Sequence, residues 1–237
     1  MRQTGITTVF FDVGNTLLTP AEPEGAVFAR AAARSGVQLD AAQVNARIPE
    51  MYRYYEQLYE QDDSFWADDQ RAVEIWHTMY EYLCALLDVP AAQRIVIAEG
   101  VYQHYLAPES WTTFPDVLPC LEALSAQGLR LGLISNWDSS LRPVIEGMGL
   151  GYLFCEIIAS AEVLLHKPQP AIFELALRRT GTPASAAMHI GDHASADVQG
   201  ARAAGITPVY LNRRGERLKD AISIASLAEL PALIAAH

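Results

Sequence analysis

Lysine is almost missing from this 237-residue chain: Lys167 and Lys219 are the only two, and arginine supplies the rest of the fixed positive charge. Acids outnumber bases by 28 to 17, for a formal net charge of -11 at pH 7. Nucleic acid and anionic membrane surfaces are bound largely through Lys and Arg, so neither is expected as the main partner. A small phosphorylated molecule stays open if positive charge is concentrated in one place. Cysteine is scarce as well. Cys84, Cys120 and Cys155 each stand in an apolar context without CxxC spacing, which reads as core thiols in a reducing compartment. There is no run of about 18 apolar residues, and the N-terminus lacks a long apolar segment followed by a small-residue cleavage site, so no membrane span is expected and a cytoplasmic location is the default. Internal repeats and low-complexity segments are absent too. What remains, 51% hydrophobic and 19% charged, suffices for a sizeable core.

Short β-branched or apolar runs fill the second half: "LRLGLIS" (129–135), "CEIIAS" (155–160), "AAMHIG" (186–191) and "TPVYL" (207–211). Helical patterns lie between them, with Gly128, Gly181 and Gly205 near helix ends. Together with the early run "TTVFF" this predicts an α/β fold with a Rossmann-like parallel-sheet core. The stretch from first to second strand is different: nearly all helical pattern, rich in Tyr and Trp, with prolines on both sides. It reads as an inserted helical cap at 20–108, with 1–19 and 109–237 forming the core. Tyr52, Tyr55 and Tyr59, at helical spacing, and Trp66 and Trp76 beyond them read mainly as bundle core, with room for one or two rings at a substrate cleft.

Ligands of an open parallel sheet bind beyond the carboxyl ends of its strands. The residues there are Asp12, then Ser135 and Asn136, then Asp192, then Asn212, Arg213 and Arg214, all polar. Any one of them could simply begin a loop or cap a helix. Two acids, a hydroxyl and the rare Lys167 on one sheet edge are harder to explain that way.

Four stretches in order, "FFDVGNTLL", "LISN", "HKPQP" and "GDHASAD", resemble the motif set of the haloacid dehalogenase-like hydrolases, which are mostly magnesium-dependent phosphatases with an aspartate nucleophile. The resemblance runs from the first strand to about Leu211. It implies that Asp12 takes the phosphoryl group, a task suited to a carboxylate already ionised at neutral pH, and that Thr16 orients the same loop or satisfies its backbone. It implies that Ser135 hydrogen-bonds a phosphoryl oxygen and that Lys167, as a catalytic and substrate-binding residue, offsets the charge of nucleophile and phosphate together. Asn136 would add a donor, or its stretch "NWDSSLRP" would cap the next helix with Asp138 as the cap, and His166 would lie on the surface or behind the site. Asp12, the Gly14 carbonyl and Asp192 would bind Mg2+, with Asp197 either a further ligand or a support for them. His193 would contact substrate or serve the loop. The expected partner is a small phosphorylated substrate, and the expected assembly a monomer or homodimer.

The pattern breaks at Gly14, where most phosphatases of the family carry a second aspartate for proton transfer. Glycine still offers the carbonyl but no acid or base, a loss of roughly 10²- to 10⁴-fold in rate where general acid/base catalysis is needed. Three readings follow: a phosphatase that manages without that group, a silent binding or regulatory protein of the same fold, and a 2-haloacid dehalogenase. The last would leave the acidic pair of "GDHASAD" unexplained.

Overall fold

The computed structural model describes residues 5–236, and its centre is a strand, β1 (Thr8–Phe11), buried along its whole length. Further strands are β2 (Leu18–Pro20), β3 (Trp111–Thr113), β4 (Arg130–Ser135), β5 (Glu156–Ala159), β6 (Ala187–Gly191), β7 (Thr207–Leu211) and β8 (Ile222–Ile224). Six of them form one sheet in the order β5-β4-β1-β6-β7-β8, with all five neighbouring pairs parallel. Thr8 is level with Arg130 on one side and Ala187 on the other, so the ends of β1, β4 and β6 come out together. Chain order runs outward from β1 through β4 to β5, then restarts at β6 on the opposite side. That reversal makes the end of β1 a switch point of the sheet.

The expected strands are present within a residue or so of their predicted bounds. The edge strand β8 and the two-stranded ribbon of β2 and β3 were not predicted, because runs of three residues carry no usable period.

The chain divides into two compact units: residues up to Thr19 together with those from Thr113 on, and Pro20–Thr112. The second is helical, with α1 (Glu24–Arg34), α2 (Ala41–Gln61), α3 (Asp69–Leu86) and α4 (Ala91–Tyr105). Asp40 and Asp68 cap α2 and α3, their carboxylates accepting from the backbone N–H of Ala42 at 3.1 Å and Arg71 at 2.9 Å, in the usual way of an N-terminal acid. The aromatic stripe packs within this unit. Tyr59 and Trp66 are buried, Trp66 donates to the Tyr55 hydroxyl at 3.1 Å, and Trp66 and Trp76 meet edge to face with centroids 5.9 Å apart. Tyr52 differs, being 40% exposed with its hydroxyl on Glu24 at 2.9 Å.

The sheet unit adds α5 (Val117–Ala126), α6 (Leu141–Gly147), α7 (Ser160–Val163), α8 (Pro170–Thr180), α9 (Gly200–Ala203) and α10 (Leu230–Ala235). Phe10, Ile134 and Ile158 from the strands pack with Ile172, Phe173 and Ala176 of α8, which makes the period-3.6 face of that helix one wall of the core. Gly181 closes α8 at φ 61°, a conformation glycine adopts without strain. Cys84 and Cys120 are buried as expected, but Cys155 is exposed: it precedes β5 and so falls outside the covered part of the sheet. No described helix is long and apolar enough to cross a membrane.

Candidate active site

Asp12 leaves β1 at the switch point, its backbone N–H still bonded to the Ile190 carbonyl of β6 at 2.9 Å. The chain then turns tightly. The N–H groups of Leu17 and Leu18 both reach back to the Val13 carbonyl, at 2.8 and 2.9 Å, and Asn15 takes the left-handed conformation at φ 55°, which asparagine tolerates better than most residues. Gly14 itself is not at positive φ. A Cβ on it would meet only Cζ3 of Trp137, at 3.7 Å. Arg213, stacked over Phe114 at 3.8 Å, steadies the turn by donating to the Thr16 carbonyl at 2.8 Å and to Asp116 at 2.9 Å.

Around Asp12 the chain assembles donors. Ser135 at the end of β4 gives its hydroxyl to Asp12 Oδ1 at 3.1 Å. Lys167 Nζ reaches the same oxygen at 2.7 Å and Asp197 Oδ1 at 2.6 Å. Only 2% of Lys167 is exposed, so the ammonium depends on these partners. Burial by itself would lower its pKa, but the charges of Asp12 and Asp197 outweigh burial and hold it above the ordinary lysine range. Asp197 mirrors this: burial acts to raise its pKa, yet Lys167 above all, and then His189, hold the carboxyl well below the usual range.

Asn136 lies against the Lys167 segment. Its side chain brackets the backbone of Lys167, accepting from the N–H at 2.8 Å and donating to the carbonyl at 2.9 Å, and so fixes the stem from which Nζ extends. Asp138 accepts from the Ser140 N–H at 2.9 Å, one turn ahead of α6. His166 is buried, with Nε2 2.7 Å from Gln169 Nε2, and is not a surface residue. The Thr16 hydroxyl approaches Asp192 Oδ1 at 3.4 Å, and His193 uses Nδ1 to accept from the Ala196 N–H at 3.1 Å, which is a cap on the turn that follows.

That turn, Ala194–Gln199, is π-helical. The wide turn swings Asp197 inward, with Oδ2 on the His193 N–H at 3.0 Å and Oδ1 shared by Lys167 and the ring Nε2 of His189 at 2.9 Å. Three donors therefore occupy both oxygens. Gly191 makes the room, because a Cβ there would collide with the Asp197 carboxylate. Gly191→Ala should force Asp197 aside and cost about 1–3 kcal/mol, the usual scale of overpacking. Urea unfolding measures it, and an unchanged midpoint would mean that Asp197 does not need that space.

Asp12, Asp192 and Asp197 bring ligand oxygens within 4.8 Å of one another. Against three carboxylates there is one ammonium, Lys167, which leaves two negative charges if all are ionised. The strain falls on Asp192, whose pKa is pushed well above the usual range by burial first and then by Asp12 and Asp197. Oδ1 of Asp197 is committed to Lys167 and His189, which leaves Asp12 and Asp192 the carboxylates with more acceptor capacity for a cation. His189 and Gly191 were not anticipated as contributors. A histidine inside an otherwise apolar strand was the available signal for the first, and nothing short of the fold could have shown the second.

A family model for haloacid dehalogenase-like hydrolases matches residues 6–205. The chain is 33% identical over 233 residues to haloacid dehalogenase-like hydrolase domain-containing protein 3 of Danio rerio, covering 94% of each. It is 28% identical to glyceraldehyde 3-phosphate phosphatase of Methanopyrus kandleri, covering 88% of this chain and 84% of that one. Among solved structures it resembles a 2-haloacid dehalogenase of Pseudomonas syringae, with 27% identity, a TM-score of 0.64 and coverage of 98% and 99%. With the motif residues drawn together at the switch point of a parallel sheet and the family match spanning most of its length, the chain belongs to the haloacid dehalogenase-like hydrolases.

Proposed function

We propose that the protein is a magnesium-dependent phosphatase acting on a small phosphorylated molecule through an aspartyl-phosphate on Asp12. The observation that carries this reading is the pairing of Asp12 with Lys167 and Ser135 beside a carboxylate, Asp192, whose burial and acidic neighbours outweigh the pull of Lys167. The phosphatase-named relatives support it.

In this mechanism a carboxylate oxygen of Asp12 attacks phosphorus, the P–O bond to the leaving group breaks, and that group departs with the electron pair. Water then cleaves the acyl phosphate, releasing inorganic phosphate and restoring Asp12. Lys167 and Ser135 supply fixed donors for oxygens that gain charge in the transition state. Asp12, Asp192 and the Gly14 carbonyl would hold Mg2+, which suits an ion that uses one or two carboxylates and keeps water for the rest. Bound there, the ion neutralises the surplus charge that would otherwise repel a phosphate dianion. Asn136 and Asp197 position Lys167 without touching substrate, and His193 caps its own turn.

Gly14 supplies no proton to the leaving group, and beside it stands the indole of Trp137, held by its Nε1–H on Ser140 at 3.1 Å. The site therefore suits leaving groups already stable as anions, such as aryl or acyl phosphates. Gly14→Asp fits the backbone and has ordinary contact distance to Trp137, so it should fold. It should raise turnover of alkyl phosphates by about 10-fold or more, and of aryl phosphates by less, since full general acid/base catalysis is worth roughly 10²- to 10⁴-fold. A folded variant with no selective gain on alkyl esters would show that proton transfer is already provided for.

The 2-haloacid dehalogenase reading has the solved relative in its favour and the crowded acids Asp12, Asp192 and Asp197 against it. A screen of phosphate esters and 2-haloacids with and without magnesium separates the readings. Magnesium-dependent phosphate release supports the first, metal-independent halide release the second, and metal binding without turnover points to a silent member of the fold.

A further inference from the structure

His189 sits in the middle of β6, fully buried, where its neighbours Met188 and Ile190 are apolar. Its ring lies edge-on to Phe173, centroids 5.1 Å apart, and Nδ1 has no hydrogen-bond partner among the described residues. A buried polar atom left unpaired costs about 1–3 kcal/mol, so an aliphatic residue would serve the core better. The compensating contact is the other nitrogen, Nε2, which meets Asp197 Oδ1 at 2.9 Å. With Asp197 ionised, that contact makes Nε2 the protonated nitrogen and donor. Burial chiefly lowers the imidazole pKa, in keeping with a neutral ring of this tautomer.

The same oxygen, Asp197 Oδ1, also accepts from Lys167. Asp197 stands on a one-turn π-helical segment, and without His189 its Oδ1 would be held by Lys167 alone and its Oδ2 by the His193 N–H, so that Oδ1 could shift with the lysine or toward the acids at the end of β1. We propose that His189 is a positioning residue: its Nε2–H pins Asp197 Oδ1 so that this one oxygen holds Lys167 Nζ against Asp12 and stays off the cation-binding pair. The chain of contacts runs His189, Asp197, Lys167, Asp12, with every link between 2.6 and 2.9 Å. Its consequence for phosphate rests on the phosphatase reading, whereas its consequence for Lys167 does not.

Because the chain has only two lysines, Lys167 can be observed directly. In ¹⁵N-lysine-labelled protein at neutral pH, the buried, hydrogen-bonded ammonium of Lys167 should give a persistent ¹H–¹⁵N correlation, while the exposed Lys219 exchanges its protons with water and serves as the control. His189→Leu removes the donor, and His189→Gln returns an N–H near the position of Nε2. His189→Asn is equally polar but too short to reach. The Leu and Asn variants should lose or shift the Lys167 signal and weaken binding of inorganic phosphate, measured by calorimetry with magnesium present, by about 10- to 100-fold, the scale seen when outer partners of a site are removed. The Gln variant should recover both. Should the Leu variant not fold, the contrast of Gln with Asn still decides. An unmoved Lys167 signal in the Asn variant, or equal behaviour of Gln and Asn, would overturn the proposal and leave His189 a core filler. If the signal responds as expected but the parent binds no phosphate, the positioning role stands and the phosphatase reading falls.

Discussion

Lys167→Met should lower turnover by about 10³-fold and cost the protein more stability at neutral pH than under mild acid. The side chain is 2% exposed and bridges Asp12 and Asp197 at 2.7 and 2.6 Å. Methionine matches its length and flexibility and removes only the charge and the donors. Removing one partner of a buried ion pair typically costs 3–5 kcal/mol, because the charges left behind are uncompensated. Loss of a preorganised donor at a developing charge costs about 10²–10³ in turnover, and a variant that also frees Asp12 to move should reach the upper end. In the parent the folded Asp197 carboxyl is held low by Lys167. A depressed carboxylate contributes stability that is present above its unfolded pKa, near 3.9, and lost as pH falls through the folded value. The raised Lys167 contributes below the unfolded lysine value, near 10.4, and loses that contribution as pH rises through its folded one. Between those limits the parent keeps both contributions and the variant neither. As the pH drops toward 4 the orphaned acids of the variant take up protons, so the stability gap between the two proteins should narrow. Urea denaturation at pH 7 and pH 4.5 measures it, with exposed Lys219→Met as the control. A gap independent of pH would mean that the ammonium is not what holds the acids, and turnover within tenfold of the parent would remove Lys167 from the mechanism.

How much of this site could be read from the sequence depends on the range of each contact. Asp12 and Asp192 each follow a strand of a parallel sheet and Ser135 ends one, and in such a sheet strand ends converge, so the alternation of strand and helix was enough to bring them together. Lys167 was marked by its rarity and its place before a helix start. Asp197 was ambiguous because "GDHASAD" has the spacing of an ordinary helix start. Only the π-helical turn, and the space beside Gly191, turn its carboxylate toward Lys167 and occupy both its oxygens. The bracket that Asn136 places on Lys167 was out of reach for a similar reason: its partner is the backbone of a residue 31 positions away, and no local pattern records such a bond. His189 looked like part of an apolar run because periodicity describes which face a residue lies on, not what its polar atom meets there.

Replacing Asp192 with asparagine should stabilise the metal-free protein at pH 7 and destabilise it, relative to the parent, once magnesium is added. The folded Asp192 carboxyl is raised by burial and by the charges of Asp12 and Asp197. A raised carboxyl has the opposite sign from Asp197. Its ionisation begins to cost stability as pH rises past the unfolded value near 3.9, and the cost is complete once pH exceeds the folded value. Asparagine keeps the shape and an oxygen for the Thr16 hydroxyl while removing the charge. Without metal the variant should therefore melt a few degrees above the parent at pH 7, and the two should converge toward pH 4. Magnesium reverses the order, since a cation between Asp12 and Asp192 converts the repulsion into binding energy. A ligand at 100 times its Kd adds about 2.7 kcal/mol to the state that binds it, and the parent alone should gain most of this. Calorimetric titration of both proteins completes the test. Equal magnesium affinity in Asp192→Asn would place the cation elsewhere, and a metal-free variant no more stable than the parent would show that the repulsion among the three acids is already relieved by the protein itself.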